Sequence, residues 1–222
     1  MTIYTELEQG TDAWVAARCG VLTASQIGKL ITPKLQVADN DTSRGLALTI
    51  AAERITGRVE YLHPTFDMIR GTEDEPVARS VYAENFAPVE EVGFITRELD
   101  GITVGFSPDG LVDSTGLIEI KSRKPKEHLK AIVVGQPPAE NMAQMMTGLW
   151  VTGRSWCDYV AFSGGLPLWV HRIEPDPAWF AVIEAAARAF EITVADIIKR
   201  YTTATKGLPM TQRRPELTEI TF

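Results

Sequence analysis

The stretch GLIEIKS, residues 116–122, constrains the fold more than any other part of the chain. On an extended strand Ile118 and Ile120 point to one face, and Glu119 and Lys121 to the other. The alternation predicts a strand anchored to a core by its isoleucines, with an acid and a cation emerging together opposite. Just upstream, SPDG places Asp109 past the end of the strand that should be its neighbour. One carboxylate from each of two adjacent strands suits a hard divalent cation such as Mg²⁺. A lysine beside them suits a phosphate or an attacking water. The competing reading is an exposed Glu-x-Lys pair on an edge strand, with Asp109 in an Asp-Gly turn. The spacing alone leaves both open.

Around this strand the pattern alternates between helix and strand. Thr23 and Gln26 form a capping-box pair in TASQIGKLI, residues 23–31. A helix is expected over 43–57, from Ser43 to a stop at Gly57. Residues 64–86 read as helical on both sides of Gly71, with Pro76 as a kink or a second start. Residues 89–107 alternate about Asp100-Gly101 and predict a hairpin. An amphipathic helix is expected over 139–150, with Met142, Met145, Met146 and Leu149 on its apolar stripe and Gln144 facing away. A second hairpin is expected over 156–173, about Gly164-Gly165. The last helix should open at Asp176-Pro177, a cap followed by Pro at the first helical position, and residues 201–222 read as a polar tail. No linker divides the 222 residues, so one domain is expected, of α/β class, with a central mixed sheet flanked by helices.

Composition narrows the function classes. Hydrophobic residues make up 45% of the chain, enough for a globular core, and no run approaches the ~20 apolar residues of a membrane span. Neither a secretory leader nor a membrane is expected, and Cys19 and Cys157 suggest no disulfide framework, so a reducing cytoplasm is the expected location. The net charge of −7 argues against a general polyanion binder, yet the cations are clustered. One group is Lys121, Arg123, Lys124, Lys126 and Lys130; another is Lys199, Arg200, Lys206, Arg213 and Arg214. His63, His128 and His171 are scattered and form no site.

The residues Pro108-Asp109…Glu119-Ile120-Lys121 resemble the PD-(D/E)xK nuclease core. Further matches lie around them in order: DAW and R-x-GVLTAS over 12–25, RGTEDEPVA over 70–78, SPDGL over 107–111, and MAQMM with LWVTG over 142–153. With these the chain resembles the lambda-exonuclease family of phage recombination nucleases, the YqaJ-type viral recombinases, from about residue 10 to about 200.

The resemblance implies a restriction-endonuclease-like fold in subunits that close into a homotrimeric ring. It implies an exonuclease on double-stranded DNA ends that degrades the 5′-phosphorylated strand in the 5′→3′ direction to mononucleotides. The 3′ single strand left behind would pass to a single-strand annealing protein. By the same resemblance Asp109, Glu119 and the backbone carbonyl of Ile120 hold Mg²⁺, and Glu75 joins them for a second ion, with Mn²⁺ as a substitute. Thr72-x-x-Glu75 also reads as a capping box, and Glu73 competes as the carboxylate. Lys121 would position and activate the attacking water. Arg18, Ser25, Ser107 and Gln144 match positions around the DNA 5′-phosphate. Arg offers a terminal phosphate a planar fork of donors. Met68 falls where the family carries an apolar wedge, although the bare sequence reads it as a helix-core residue. Lys34 and Lys124 are candidate DNA contacts, but the loop 31–40 gives no clean match to a DNA-contacting arm. Two other readings stand beside this one. A PD-(D/E)xK endonuclease or resolvase would cut a closed circle, and a DNA-end binding module would not cut at all.

Overall fold

The computed structural model describes residues 1–60 and 63–212. Its framework is two sheets rather than one. Strands β1 (Thr2–Tyr4), β2 (Leu22–Thr23), β4 (Phe94–Leu99) and β5 (Ile102–Phe106) form a four-stranded sheet in the order β1-β4-β5-β2. Strands β3 (Val89–Glu90), β6 (Gly110–Val112), β7 (Gly116–Ser122), β8 (Trp156–Phe162) and β9 (Trp169–Ile173) form a five-stranded sheet in the order β3-β6-β7-β8-β9. Both sheets are mixed: β2 runs parallel to β5, and β7 parallel to β8, while the other pairs are antiparallel. The chain passes from one sheet to the other through Ser107-Pro108-Asp109. Pro108 has no N–H to donate to a ladder, so the expected single sheet is divided at that link.

Strand β7 is the third strand of five, not an edge. Its alternate residues enter two different cores. Leu117 belongs to the larger cluster, with Phe106, Met145, Leu149 and Tyr159. Ile118 and Ile120 belong to a smaller one, with Ala78, Tyr82, Val112 and Val160. Glu119 shares a face with Leu117 and is therefore buried, 0% exposed, instead of emerging into solvent as its alternation predicts. The same placement removes the reading of an exposed pair on an edge strand.

Seven α-helices surround the sheets: α1 (Asp12–Arg18), α2 (Ala24–Ile27), α3 (Asp41–Thr56), α4 (Phe66–Asn85), α5 (Pro125–Val134), α6 (Ala139–Thr152) and α7 (Pro177–Ala204), among the described residues. Local signals act as the sequence indicates. Thr23 and Gln26 close a capping box on α2. Asp100 and Gly101 both adopt positive φ in the β4–β5 turn, where the twist of a tight hairpin demands it. Asp176 accepts from the N–H of Ala178 at the start of α7.

Three boundaries differ from expectation. Asn40, not Ser43, caps α3, and the Ser43 side chain returns the bond to the Asn40 N–H. Helix α4 runs unbroken through Gly71 and Pro76. Helix α7 continues to Ala204, into the stretch expected to be tail, and residues 213–222 lie outside the described ones, as do Arg213 and Arg214.

Two glycines bring elements close around the link. A Cβ on Gly148 of α6 would sit 2.7 Å from the Phe106 ring of β5. A Cβ on Gly93 would sit 1.8 Å from the Leu7 carbonyl oxygen, so the N-terminal segment can lie against β4 only because that atom is missing. No described helix is long and apolar enough to cross a membrane.

Candidate active site

The site forms where β7 leaves the β6–β7 ladder, beside Ser107-Pro108-Asp109. Gly110 pairs with Ile118, so Asp109 arrives next to Glu119 and Ile120. The Asp109 Oδ2 accepts the Ile120 N–H at 2.6 Å. Lys121 Nζ lies 2.5 Å from Glu119 Oε1. That ion contact is one-sided, because neither Glu119 carboxylate oxygen has a well-formed hydrogen-bond partner among the described residues. A buried carboxylate left in this state costs free energy unless a cation completes it.

The charges of the site perturb one another. Burial holds Asp109 well above the usual carboxylate range, and the nearby Glu119 and Glu75 push it further, against Lys121 and the Ile120 N–H. Burial also raises Glu75, opposed by Arg79 and reinforced by Glu119. For Lys121 burial is the strongest single influence and favours the neutral amine. Glu119 and Asp109 together outweigh it, so the ammonium is held more firmly than a free lysine's. In the protein alone Lys121 is thus a charged partner of Glu119, not a lysine ready to shed its proton.

Glu75 reaches toward this group from α4, but its carboxylate is paired with Arg79. Arg79 Nε donates to the Asp109 carbonyl at 2.7 Å, and its Nη1 donates to Glu91 at 2.7 Å. Glu73, the competing carboxylate, is exposed. Among the described residues no three His, Cys, Asp or Glu side chains already converge as a metal cluster. What is present is two adjacent acids with the Ile120 backbone between them and a third acid held by an arginine. Oxygen donors with excess negative charge and an unsatisfied buried carboxylate fit a hard divalent cation.

Of the four residues expected around a phosphate, Arg18 and Ser107 pair with each other, Gln144 bonds to Lys121, and Ser25 stands apart. Arg18 Nη1 donates to Ser107 Oγ at 2.7 Å, and the Trp14 indole N–H donates to the same oxygen at 3.0 Å. The Arg18 guanidinium lies 4.0 Å from the Trp14 ring centroid. Burial pulls its pKa down to about 10, against the raising influence of Glu53. Gln144 is joined to the other side of the site, its Oε1 accepting from Lys121 Nζ at 3.3 Å. Ser25 is exposed in the first turn of α2, and its recorded contact is with the Thr23 hydroxyl at 3.3 Å.

The DNA-contact candidates are peripheral. Met68 is 56% exposed in the first turn of α4, near Phe66 and Ile69, which are also exposed, so it is not the helix-core residue its sequence context suggests. Lys124 is exposed and pairs with Asp67 at 3.1 Å. Lys34 is exposed in the turn closed by the Ile31–Val37 bridge, with no recorded contact to the site.

Three features escaped sequence reasoning. Arg79 is the first; its signal was Glu75-x-x-x-Arg79, which also describes an ordinary helix-surface pair. Second, Ser122 Oγ donates to Asp74 at 2.6 Å and accepts from Arg70 Nε at 3.0 Å, tying α4 to the end of β7. Third, Arg123, on the same face as Glu119 and Lys121, donates to the Tyr159 hydroxyl at 3.1 Å and also to Asn141 on α6.

Comparison with known proteins identifies a family and related structures. The YqaJ-like viral recombinase domain matches residues 13–155. The alkaline exonuclease LHK-Exo from Laribacter hongkongensis is 36% identical, with a TM-score of 0.79 over 90% of this chain and 100% of that one. A structure of LHK-Exo in complex with dAMP matches equally well. A phage-related exonuclease from Haemophilus somnus 129PT shares the fold at 14% identity, with a TM-score of 0.60 over 82% of this chain and 96% of that one. No curated protein sequence matches the chain. The order of motifs, the buried acid pair beside Lys121 and these similarities lead to one conclusion: the chain belongs to the YqaJ-like viral recombinase family.

Proposed function

We propose that the chain is a single-domain, divalent-metal-dependent exonuclease that degrades the 5′-phosphorylated strand of a DNA duplex in the 5′→3′ direction. The observation that carries the reading is Glu119: fully buried, ion-paired on one side by Lys121, and otherwise without a hydrogen-bond partner among the described residues. Asp109, Glu119, the Ile120 carbonyl and Glu75 would hold Mg²⁺, one ion or two, with Mn²⁺ as a substitute. A bound divalent cation supplies charge stabilisation at the phosphoryl group and lowers the pKa of a coordinated water. Lys121 Nζ orients the attacking water. Gln144, bonded to that ammonium, keeps it aimed.

At the other end of the link, Arg18 and Ser107 would receive a terminal phosphate, with Ser25 closing on it when DNA is present. A desolvated guanidinium already held by Trp14 and Ser107 is prepared for an anion. That the 36%-identical relative is an alkaline exonuclease supports hydrolysis, and its complex with dAMP supports a mononucleotide product. The direction, the homotrimeric ring, the annealing-protein partner and a bacterial cytoplasmic setting follow from the family resemblance. They belong to this proposal.

Linear duplexes labelled at either end, and a closed circle, incubated with Mg²⁺ or with a chelator, test the reading. Mg²⁺-dependent release of mononucleotides from the 5′-phosphorylated strand is expected. Cutting of the closed circle would favour an endonuclease, and binding without cleavage an end-binding module.

A further inference from the structure

We propose that Arg79 is the positioning residue of this site: it sets the separation of Glu75 on α4 from Asp109 on the β5–β6 link, and holds Glu75 until a divalent cation takes it. The inference rests on the reading of Asp109, Glu119 and Glu75 as cation ligands.

Each nitrogen of the guanidinium has its own partner. Nε donates to the backbone carbonyl of Asp109, Nη2 to the Glu75 carboxylate, and Nη1 to Glu91. These contacts are not equal. The Glu91 side chain is 69% exposed, where an ion pair contributes little. The Arg79 side chain is only 13% exposed, so its bonds to Asp109 and Glu75 are made in shelter from water. They also join an α4 side chain to the inter-sheet link.

Asp109 is therefore pinned at both ends, its carbonyl by Arg79 and its carboxylate by the Ile120 N–H. Without Arg79 the link loses the first of these restraints. Glu75 would then face Asp109 and Glu119 with no neighbouring arginine to balance the repulsion. A planar fork holds a carbonyl and a carboxylate at a fixed angle; a lysine ammonium at the same position is a point charge on a flexible stem and cannot hold both as rigidly. Partners that orient cation ligands in this way are typically worth about 10–100-fold in metal affinity.

The test uses the full-length protein without DNA. Mn²⁺ is titrated calorimetrically into metal-free wild type, Arg79→Lys and Arg79→Gln, and the same metal-free samples are melted. Arg79→Lys should weaken Mn²⁺ binding about tenfold and Arg79→Gln further, while both variants still melt cooperatively. A lowered melting temperature with Mn²⁺ affinity within about twofold of wild type would overturn the proposal, since loss of a partner that orients the ligands predicts far more. Loss of cooperative melting in both variants would overturn it too, because Arg79 would then be a structural ion pair. Absence of Mn²⁺ binding by wild type is a different failure: it removes the ligand reading itself, and this inference with it.

Discussion

Single residues carry the sharpest tests. Asp109→Ala removes a carboxylate whose pKa is raised by burial and by its acidic neighbours. Cleavage should be abolished and DNA binding largely retained; near wild-type Mg²⁺-dependent cleavage would sink the ligand assignment. The same variant separates metal linkage from chemistry. An ion that binds only the folded protein stabilises it by about 2.7 kcal/mol at a hundred times its Kd. Mg²⁺ should therefore raise the melting temperature of wild type and leave that of Asp109→Ala nearly unchanged. Arg18 invites a different comparison. Its guanidinium is desolvated, stacked on Trp14 and bonded to Ser107. A charge-assisted bond to phosphate is worth ~1.5–3 kcal/mol, so Arg18→Ala should cost roughly ten- to a hundredfold in rate on 5′-phosphorylated ends. The loss on 5′-hydroxyl ends should be much smaller. Equal losses would mean that Arg18 serves the fold or the DNA backbone instead.

At the scale of elements, the legible parts were those specified by neighbouring residues. GLIEIKS forms β7 over the expected residues, Asp100-Gly101 makes the expected turn, and Asp176-Pro177 opens α7. What escaped depends on partners far along the chain. The burial of Glu119 follows from which cluster Leu117 enters, and no local pattern encodes that. The split into two sheets follows from the link at Pro108 together with strand pairings that periodicity cannot assign. Arg79 looked like half of a helix pair because its third partner, the Asp109 carbonyl, is thirty positions away. The packing of α6 gives a prediction at this scale. Gly148→Ala gains about 1 kcal/mol of helix propensity. It also drives a Cβ to within 2.7 Å of the Phe106 ring, which a core resists at a cost of ~1–3 kcal/mol. The clash should win, lowering the melting temperature by a few degrees, about 2–4 °C per kcal/mol for a chain this long. Cleavage should fall with it, because Phe106 immediately precedes Ser107. An unchanged or raised melting temperature would show that the ring can move aside.

For the whole molecule the question is how a chain of net charge −7 holds a polyanion. The cations must act locally, and the structure separates those already engaged from those that are not. Lys121 is committed to Glu119, Arg123 to Tyr159, Asn141 and Glu140, and Lys124 to Asp67. Lys126 and Lys130 are exposed on α5, one helical turn apart on the same side, with no recorded ion pair among the described residues. On a duplex each phosphate neutralised contributes about −0.9 to the slope of log affinity against log salt. If both lysines track the DNA backbone, replacing them together with glutamine should flatten that slope by nearly two units, by about 0.9 for each. Affinity should weaken by a similar factor on every duplex sequence, since backbone contacts carry no base information. The measurement is a salt series of DNA affinities for wild type and for the double variant, made in Ca²⁺ or with Asp109→Ala so that the duplex stays intact. A slope identical in the two proteins would make α5 a solvated face and move the DNA path to the basic end of α7, at Lys199 and Arg200.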